Sequence, residues 1–148
     1  MNEIYKGMDN AAEQIDNNFK GIKDYVIEQG DNERGWWEKW ASGKLVQYGA
    51  YLTTHNGVTE QWGSMYLSNP IKIKYPIEFW DIYTLNVNVQ SVSGVTGWVM
   101  QYASGNPNRL VESPQYCLAR PVSNTATTNV QYDFRAIGRW KAPVGWED

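Results

Sequence analysis

The sequence predicts a mostly β protein: an antiparallel β-sandwich preceded by an N-terminal α-helical coiled-coil stalk. Three observations carry that expectation. Apolar residues recur at three- and four-residue spacing from Asn2 to about Glu28, period-two alternation replaces that spacing beyond Gly35, and turn residues then return about every 8 to 12 positions. The 148 residues suffice for one core and a small appendage. The division is residues 1–30 as stalk and 31–148 as head.

In the stalk, Ile4, Ala11, Asn18 and Tyr25 stand seven apart at one seam position, and Met8, Ile15 and Ile22 stand seven apart at the other. A helix over this stretch would be about 39 Å long. Gly7 and Gly21 each weaken it by about 1 kcal/mol relative to Ala, so it needs partners. These seven residues are the expected trimerisation seam. Asn18, a lone amide in an apolar seam, fixes register and strand number at a cost in stability. A helix packed on its own domain stays open as the alternative, because Phe19 and Val26 widen the apolar stripe. The stretch Gln29 to Gly35, with Gly30, Asp31, Asn32 and Gly35, reads as the break that ends the stalk.

Beyond the break, Trp36 to Ala41 and Lys44 to Leu52 flank the short turn Ser42-Gly43, a hairpin with Val46, Tyr48, Ala50 and Leu52 on one face. Trp62 to Leu67 follows. Ile71, Ile73, Tyr75 and Ile77 alternate with Lys72, Lys74 and Pro76, the proline marking an edge or bulge. In Tyr83 to Gln90, Leu85, Val87 and Val89 face one way and Asn86, Asn88 and Gln90 the other, so one side is dry and one wet. Gly97 to Ala103 groups Trp98, Met100 and Tyr102, with Trp98 assigned to the core. Val130 to Trp140 sets Tyr132, Phe134 and Ala136 opposite Asp133, Arg135 and Ile137. Ser104 to Asn129 is rich in Gly, Pro, Asn, Ser and Thr and reads as loops.

Composition narrows the function. Thirteen Lys and Arg against 16 Asp and Glu give a net charge of −3 with no basic cluster, which argues against nucleic acid as partner. Eight Trp and 10 Tyr against 3 Phe favour rings that carry a polar handle, as flat recognition surfaces do. The single Cys117 forms no intrachain disulfide and reads as a small buried hydrophobe. No stretch reads as a signal peptide or reaches the roughly 18 apolar residues of a membrane span. The expectation is a protein that leaves its cell by lysis or within a particle, without membrane insertion, and Met1 directly before a heptad reads as the trimmed start of a longer fibre.

Catalytic chemistry finds little support. His55, the only histidine, lies in His55-Asn56-Gly57 and reads as a solvated turn residue, with no Ser or Cys motif to serve as its nucleophile. One His and one Cys do not make a zinc site, and Asp31-Asn32-Glu33 lacks the calcium-loop spacing, so neither metal nor cofactor is expected. Glycoside hydrolysis needs two carboxyl groups about 5 to 10 Å apart, for which Glu60, Glu78, Asp81, Glu112 and Asp133 are available. Binding is the better expectation. Tyr102, Asn106, Asn108, Arg109 and Tyr116, in or beside the longest loop region, supply rings to stack on sugar C–H faces and groups to hydrogen-bond hydroxyls. Trp36, Trp37 and Trp40 read as packing at the stalk junction.

Two stretches carry a resemblance. Gly35-Trp36-Trp37-Glu38-Lys39-Trp40-Ala41-Ser42-Gly43-Lys44-Leu45-Val46-Gln47-Tyr48-Gly49 resembles the opening of the C-terminal domains of bacteriophage and prophage tail-fibre proteins. Phe134-Arg135-Ala136-Ile137-Gly138-Arg139-Trp140-Lys141 is similar to their closing strand, and Ala11 to Phe19 to the helical element that often precedes them. Between these ends, the strand order and Val95-Thr96-Gly97-Trp98 resemble the H-type lectin sandwich, a six-stranded fold that assembles as a trimer. The resemblance implies a homotrimeric fibre tip, made in the bacterial host cytoplasm and carried on the virion. It would attach the rest of the phage tail and baseplate to a cell-surface polysaccharide or teichoic-acid-like polymer. It places ligand loops near His55 to Gln61, with His55 and Asn56, near Asn86 and Asn88, and near Tyr102 to Arg109. The lectins' Trp-His step is replaced here by Ser104-Gly105-Asn106, so sugar identity does not carry over. The alternatives are a structural fibre cap without its own ligand site and a glycan depolymerase.

Overall fold

A computed structural model describes residues 24–94, 96–102 and 106–146. Ten strands occupy them: β1 (Val26–Asn32), β2 (Gly35–Trp40), β3 (Lys44–Val58), β4 (Glu60–Trp62), β5 (Met65–Leu67), β6 (Ile71–Lys74), β7 (Asp81–Ser93), β8 (Trp98–Gln101), β9 (Glu112–Arg120) and β10 (Asn124–Arg139). One antiparallel sheet runs β1-β2-β3-β10-β7; the second joins β4, β5, β9 and β6, with β8 paired to β9. No helix is present among the described residues, and ten strands stand where the lectin-like order implies six.

The core lies between the sheets. Leu45, Val58, Val130, Tyr132, Phe134 and Ala136 of the first sheet meet Ile73 and Leu118 of the second, with Tyr75 and Phe79 from the connection after β6, all buried. The expected alternation holds in β10 and β7: Tyr132, Phe134 and Ala136 stand opposite Val89, Val87 and Leu85. Cys117 is buried as expected, in a smaller cluster with Leu67 and Ala119 on the other face of the second sheet. The hairpin at Ser42-Gly43 also forms as read.

The two stretches that open and close the head are spatial neighbours. Arg139 lies opposite Lys44 in the ladder. Trp140 donates its indole N–H to the carbonyl of Trp40 (3.0 Å), and Arg139 donates from Nη2 to the carbonyl of Ser42 (3.0 Å). The lysines of the two stretches cover the rings, Lys44 Nζ at 3.5 Å from the Trp40 centroid and Lys141 Nζ at 4.8 Å from that of Trp140. Trp37 packs against the core, whereas Trp36 is exposed.

Several expectations are corrected. The seam positions Ile4, Met8, Ala11, Ile15, Asn18 and Ile22 lie outside the described residues. Tyr25 does not: its carbonyl accepts the amide of Ala41, and the chain from Val26 on is a strand paired with β2 rather than the last turns of a helix. The β-branched pair Val26-Ile27 suits a strand. Gly30 suits it because a Cβ there would collide with the Trp37 ring. The expected break at Gln29 to Gly35 is therefore most of a hairpin, turning at Glu33-Arg34 with Asn32 Oδ1 accepting the Arg34 amide.

In β3 the inward face is that of Leu45 and Gln47, so Tyr48, Ala50 and Leu52 point outward. A buried amide is tolerated because Gln47 bonds both backbone groups of Ile77, at 2.8 and 2.9 Å. The stretch read as loops holds β9 and the start of β10. Pro114 sits inside β9 and has no N–H to donate. The hydroxyl of Ser113 accepts the Ile73 amide at 2.9 Å where the ladder slips. Trp98, expected in the core, is 60 % exposed at the start of β8.

His55 is the largest departure, since it lies within β3 and is fully buried. Its Nε2 is 2.8 Å from the Tyr132 hydroxyl and its Nδ1 is 2.9 Å from Ser68 Oγ, which also accepts the Leu118 amide. Every group is satisfied when Tyr132 donates to Nε2, Nδ1–H donates to Ser68, and Ser68 donates to the Asn69 carbonyl. Burial holds the imidazole below its ordinary value of 6.5. The unfolded chain therefore binds a proton that the folded one refuses, and stability present above pH 6.5 is lost as pH falls toward the depressed folded value. Denaturant midpoints are expected to fall between about pH 7 and pH 5.5, above the range where carboxylates titrate, and a His55→Gln variant to lose that dependence. Equal wild-type midpoints across this range would contradict the neutral assignment.

Candidate functional site

A fault in the register of the first sheet builds the site. Thr84 lies opposite Ile137 and Ile82 opposite Gly138, so Tyr83 has no partner across the ladder. Such a bulge bends its strand and re-aims a side chain. Here it needs a close approach of backbones. A Cβ on Gly138 would collide with the carbonyl oxygen of Asp81 and stand 2.8 Å from both Ile82 Cα and Phe79 Cδ1. Only glycine fits, and Tyr83 is left 60 % exposed.

The facing wall is the turn 106–111. Phe79 donates its amide to the Leu110 carbonyl and Tyr75 to that of Val111, both at 2.9 Å. Asn106 Nδ2 donates to the carbonyl of Glu112 (3.0 Å), whose carboxylate is bound by Lys72 at 2.6 Å. The Lys72 hydrogen bond, with further help from Asn108, holds the Glu112 carboxyl below the usual carboxylate range. The turn is tied at four points. Arg109 projects from it, its side chain 61 % exposed, and Nη2 meets Asp81 Oδ1 at 3.0 Å. A pair this exposed contributes about 1 kcal/mol at most, so it orients the guanidinium more than it stabilises the fold.

Between these walls lies a cleft of about 300 Å³, lined by Tyr75, Ile82, Tyr83, Thr84, Leu85, Asn106, Arg109 and Pro114. Buried Tyr75 belongs to the core, where desolvation raises its hydroxyl pKa and keeps it protonated. A second cleft of about 450 Å³ adjoins through the neighbouring residues of both walls, lined by Glu78, Phe79, Trp80, Leu110 and Trp140. An apolar lining with exposed rings and a few oriented polar groups suits a ligand with C–H faces and hydroxyls.

Of the expected ligand residues, Asn106 and Arg109 come together here. The others do not join them. His55 is buried, so it meets no ligand. Asn56 is exposed on β3, opposite Thr127. Asn86 and Asn88 lie on the outer face of the first sheet, opposite Arg135 and Asp133. Tyr102 packs against the Leu67, Cys117 and Ala119 cluster, and Tyr116 packs on the main core with its ring 6.1 Å from that of Tyr132. The sequence offers Asp81 only as one of five available carboxylates, and Tyr83 and Trp80 went unread. Their signal was Gly138, a glycine ending the inward series Val130, Tyr132, Phe134, Ala136.

Among the described residues there is no group of three or more His, Cys, Asp or Glu placed to hold a metal ion, and no helix long and apolar enough to cross a membrane. No protein-family model matches the sequence, and no curated protein matches it. Among solved structures the chain is similar to the P. aeruginosa R1 pyocin fibre fragment comprising C-terminal residues 323–701, with a TM-score of 0.44 and 15 % identity. The alignment covers 76 % of this chain and 28 % of that one.

Gly138→Ala is expected to destabilise the head by about 1–3 kcal/mol, as overpacking does, read as a lower urea midpoint with unchanged slope. An unchanged midpoint would show that the bulge does not need glycine.

Proposed function

We propose that this chain is the receptor-binding tip of a phage-type tail fibre, a homotrimer that attaches to a bacterial surface polymer without cleaving it. One observation carries the reading. The closing stretch that resembles tail-fibre domains contains Gly138, and Gly138 opens the bulge that presents Tyr83 beside Arg109 and Asn106. The stretch that suggests the family is the one that shapes the cleft.

Binding without hydrolysis is favoured by the state of the carboxylates. A general acid needs a raised pKa, whereas the hydrogen bond from Lys72 holds Glu112 low. The trimer is favoured by the outer face of the first sheet, where Trp36 (54 % exposed) stands opposite Tyr48 and Leu52 (64 % exposed) lies further along β3. Exposed apolar neighbours of this size mark a surface that another chain covers. Three shallow clefts on one particle act together, so a weak single site supports firm attachment.

Tyr83→Ala is expected to leave stability within about 0.5 kcal/mol of wild type and to abolish saturable binding to host cell walls. Wild-type chain that binds no cell wall at any concentration favours the structural cap instead. Release of new reducing ends from host polysaccharide would make it a hydrolase. Sedimentation equilibrium of the whole chain is expected to give three times the 17.0 kDa chain mass, and Leu52→Glu to lower it. A well-folded single-chain particle at micromolar concentration would refute the trimer.

A further inference from the structure

The linings of the two clefts are next to each other in sequence on both walls, and the Arg109–Asp81 pair joins those walls. Trp80 immediately precedes β7, which opens Asp81, Ile82, Tyr83, and Trp80 lines the second cleft while Tyr83 lines the first. On the facing turn, Leu110 lines the second and Arg109 the first. Each cleft thus has one exposed aromatic ring, and Asp81, paired with Arg109, lies between Trp80 and Tyr83 in sequence.

We infer that, on the receptor reading above, the two clefts are consecutive subsites for an internal stretch of a neutral polysaccharide. The span is the first reason. Trp80 and Tyr83 are three residues apart, about 10 Å along a strand, which is wider than one pyranose ring. A single sugar meets one ring, and a chain meets both.

Charge is the second reason, and it decides between the two classes of surface polymer. The charged groups lining the clefts or bridging them are Arg109, Asp81 and Glu78. Lys141 and Lys39 stand over the Trp140 ring at 4.8 and 5.6 Å, with Lys39 paired to Glu28, so the positive and negative charges about the clefts balance and give no net attraction for a polyanion. For hydroxyls the same groups fit well. The described bonds to Asp81 both fall on Oδ1, from Arg109 Nη2 and the Ile82 amide. Oδ2 and the remaining guanidinium N–H groups therefore offer an acceptor and donors side by side, which suits neighbouring hydroxyls on one sugar.

The test uses the whole chain on an array of neutral and anionic bacterial glycans, with poly(glycerol phosphate) as an anionic probe. Size-fractionated oligosaccharides of whichever polymer binds then follow. Neutral glycans are expected to bind, with affinity rising about tenfold or more from monosaccharide to oligosaccharide and changing little from about 50 to about 500 mM salt. Trp80→Ala should remove the gain with length and spare the monosaccharide, while Tyr83→Ala removes both. Circular dichroism establishes that each variant is folded. Salt-sensitive binding of poly(glycerol phosphate), strengthened by Asp81→Asn, overturns the neutral ligand and leaves the receptor reading intact. Equal affinity for mono- and oligosaccharide with Trp80→Ala silent overturns the paired subsites. Binding to no polymer overturns the receptor reading and this inference with it.

Discussion

The register of β10 between β3 and β7 is the constraint on which the rest of the head depends. Its inward series forms the floor of the main core, and it pairs on both sides over most of its length. A slip of one residue would turn Tyr132 and Phe134 to solvent and Asp133 and Arg135 into the core. The series also tapers, from Tyr132 and Phe134 through Ala136 to Gly138. Where it is bulky it fills the sandwich. Where it vanishes, β7 comes close enough to bulge.

Polar side chains then do what the ladders cannot. Gln47 serves Ile77, Asn32 donates to the carbonyl of Pro76, Ser113 serves Ile73, and Ser68 serves Leu118. Each stands where a proline or a strand end breaks regular pairing. An unpaired backbone group buried there would cost about 1–3 kcal/mol, so each of these residues does more than its own bond suggests. The His55, Tyr132 and Ser68 chain joins β3 and β10 to the β5–β6 connection in the same way, linking the two sheets through groups buried without charge.

How far the sequence could be read follows from this division of labour. Where alternation alone decides, as in Leu85 to Val89 or Tyr132 to Ala136, the pattern gives the inward face. Where a polar residue is buried by bonding, the pattern misleads: Gln47 is buried although polar, and His55 reads as a turn. Pro114 and its polar neighbours hid a strand for the same reason, because beside the proline the Ser113 hydroxyl accepts the Ile73 amide where the ladder slips. Tyr25 to Glu28 satisfied the helical spacing and a strand equally, and pairing with β2 decided between them. Of the site, the half on the turn was legible from its loop composition. The half on β7 depends on a bulge, and a bulge is a relation between two strands that no single stretch reveals.

The cleft follows from the same relation. A regular ladder would have placed Tyr83 in pairing with β10 and shifted Trp80 and Asp81 in step with it. The sheet takes up one extra residue in β7 without breaking. Tyr83 is thereby presented to solvent while Ile82 and Leu85, on either side, still pack against the core. The facing turn is held by backbone bonds from Phe79 and Tyr75, residues of the core itself. Both walls are thus fixed by the sandwich before any ligand arrives, so ordering them adds little to the free-energy cost of binding.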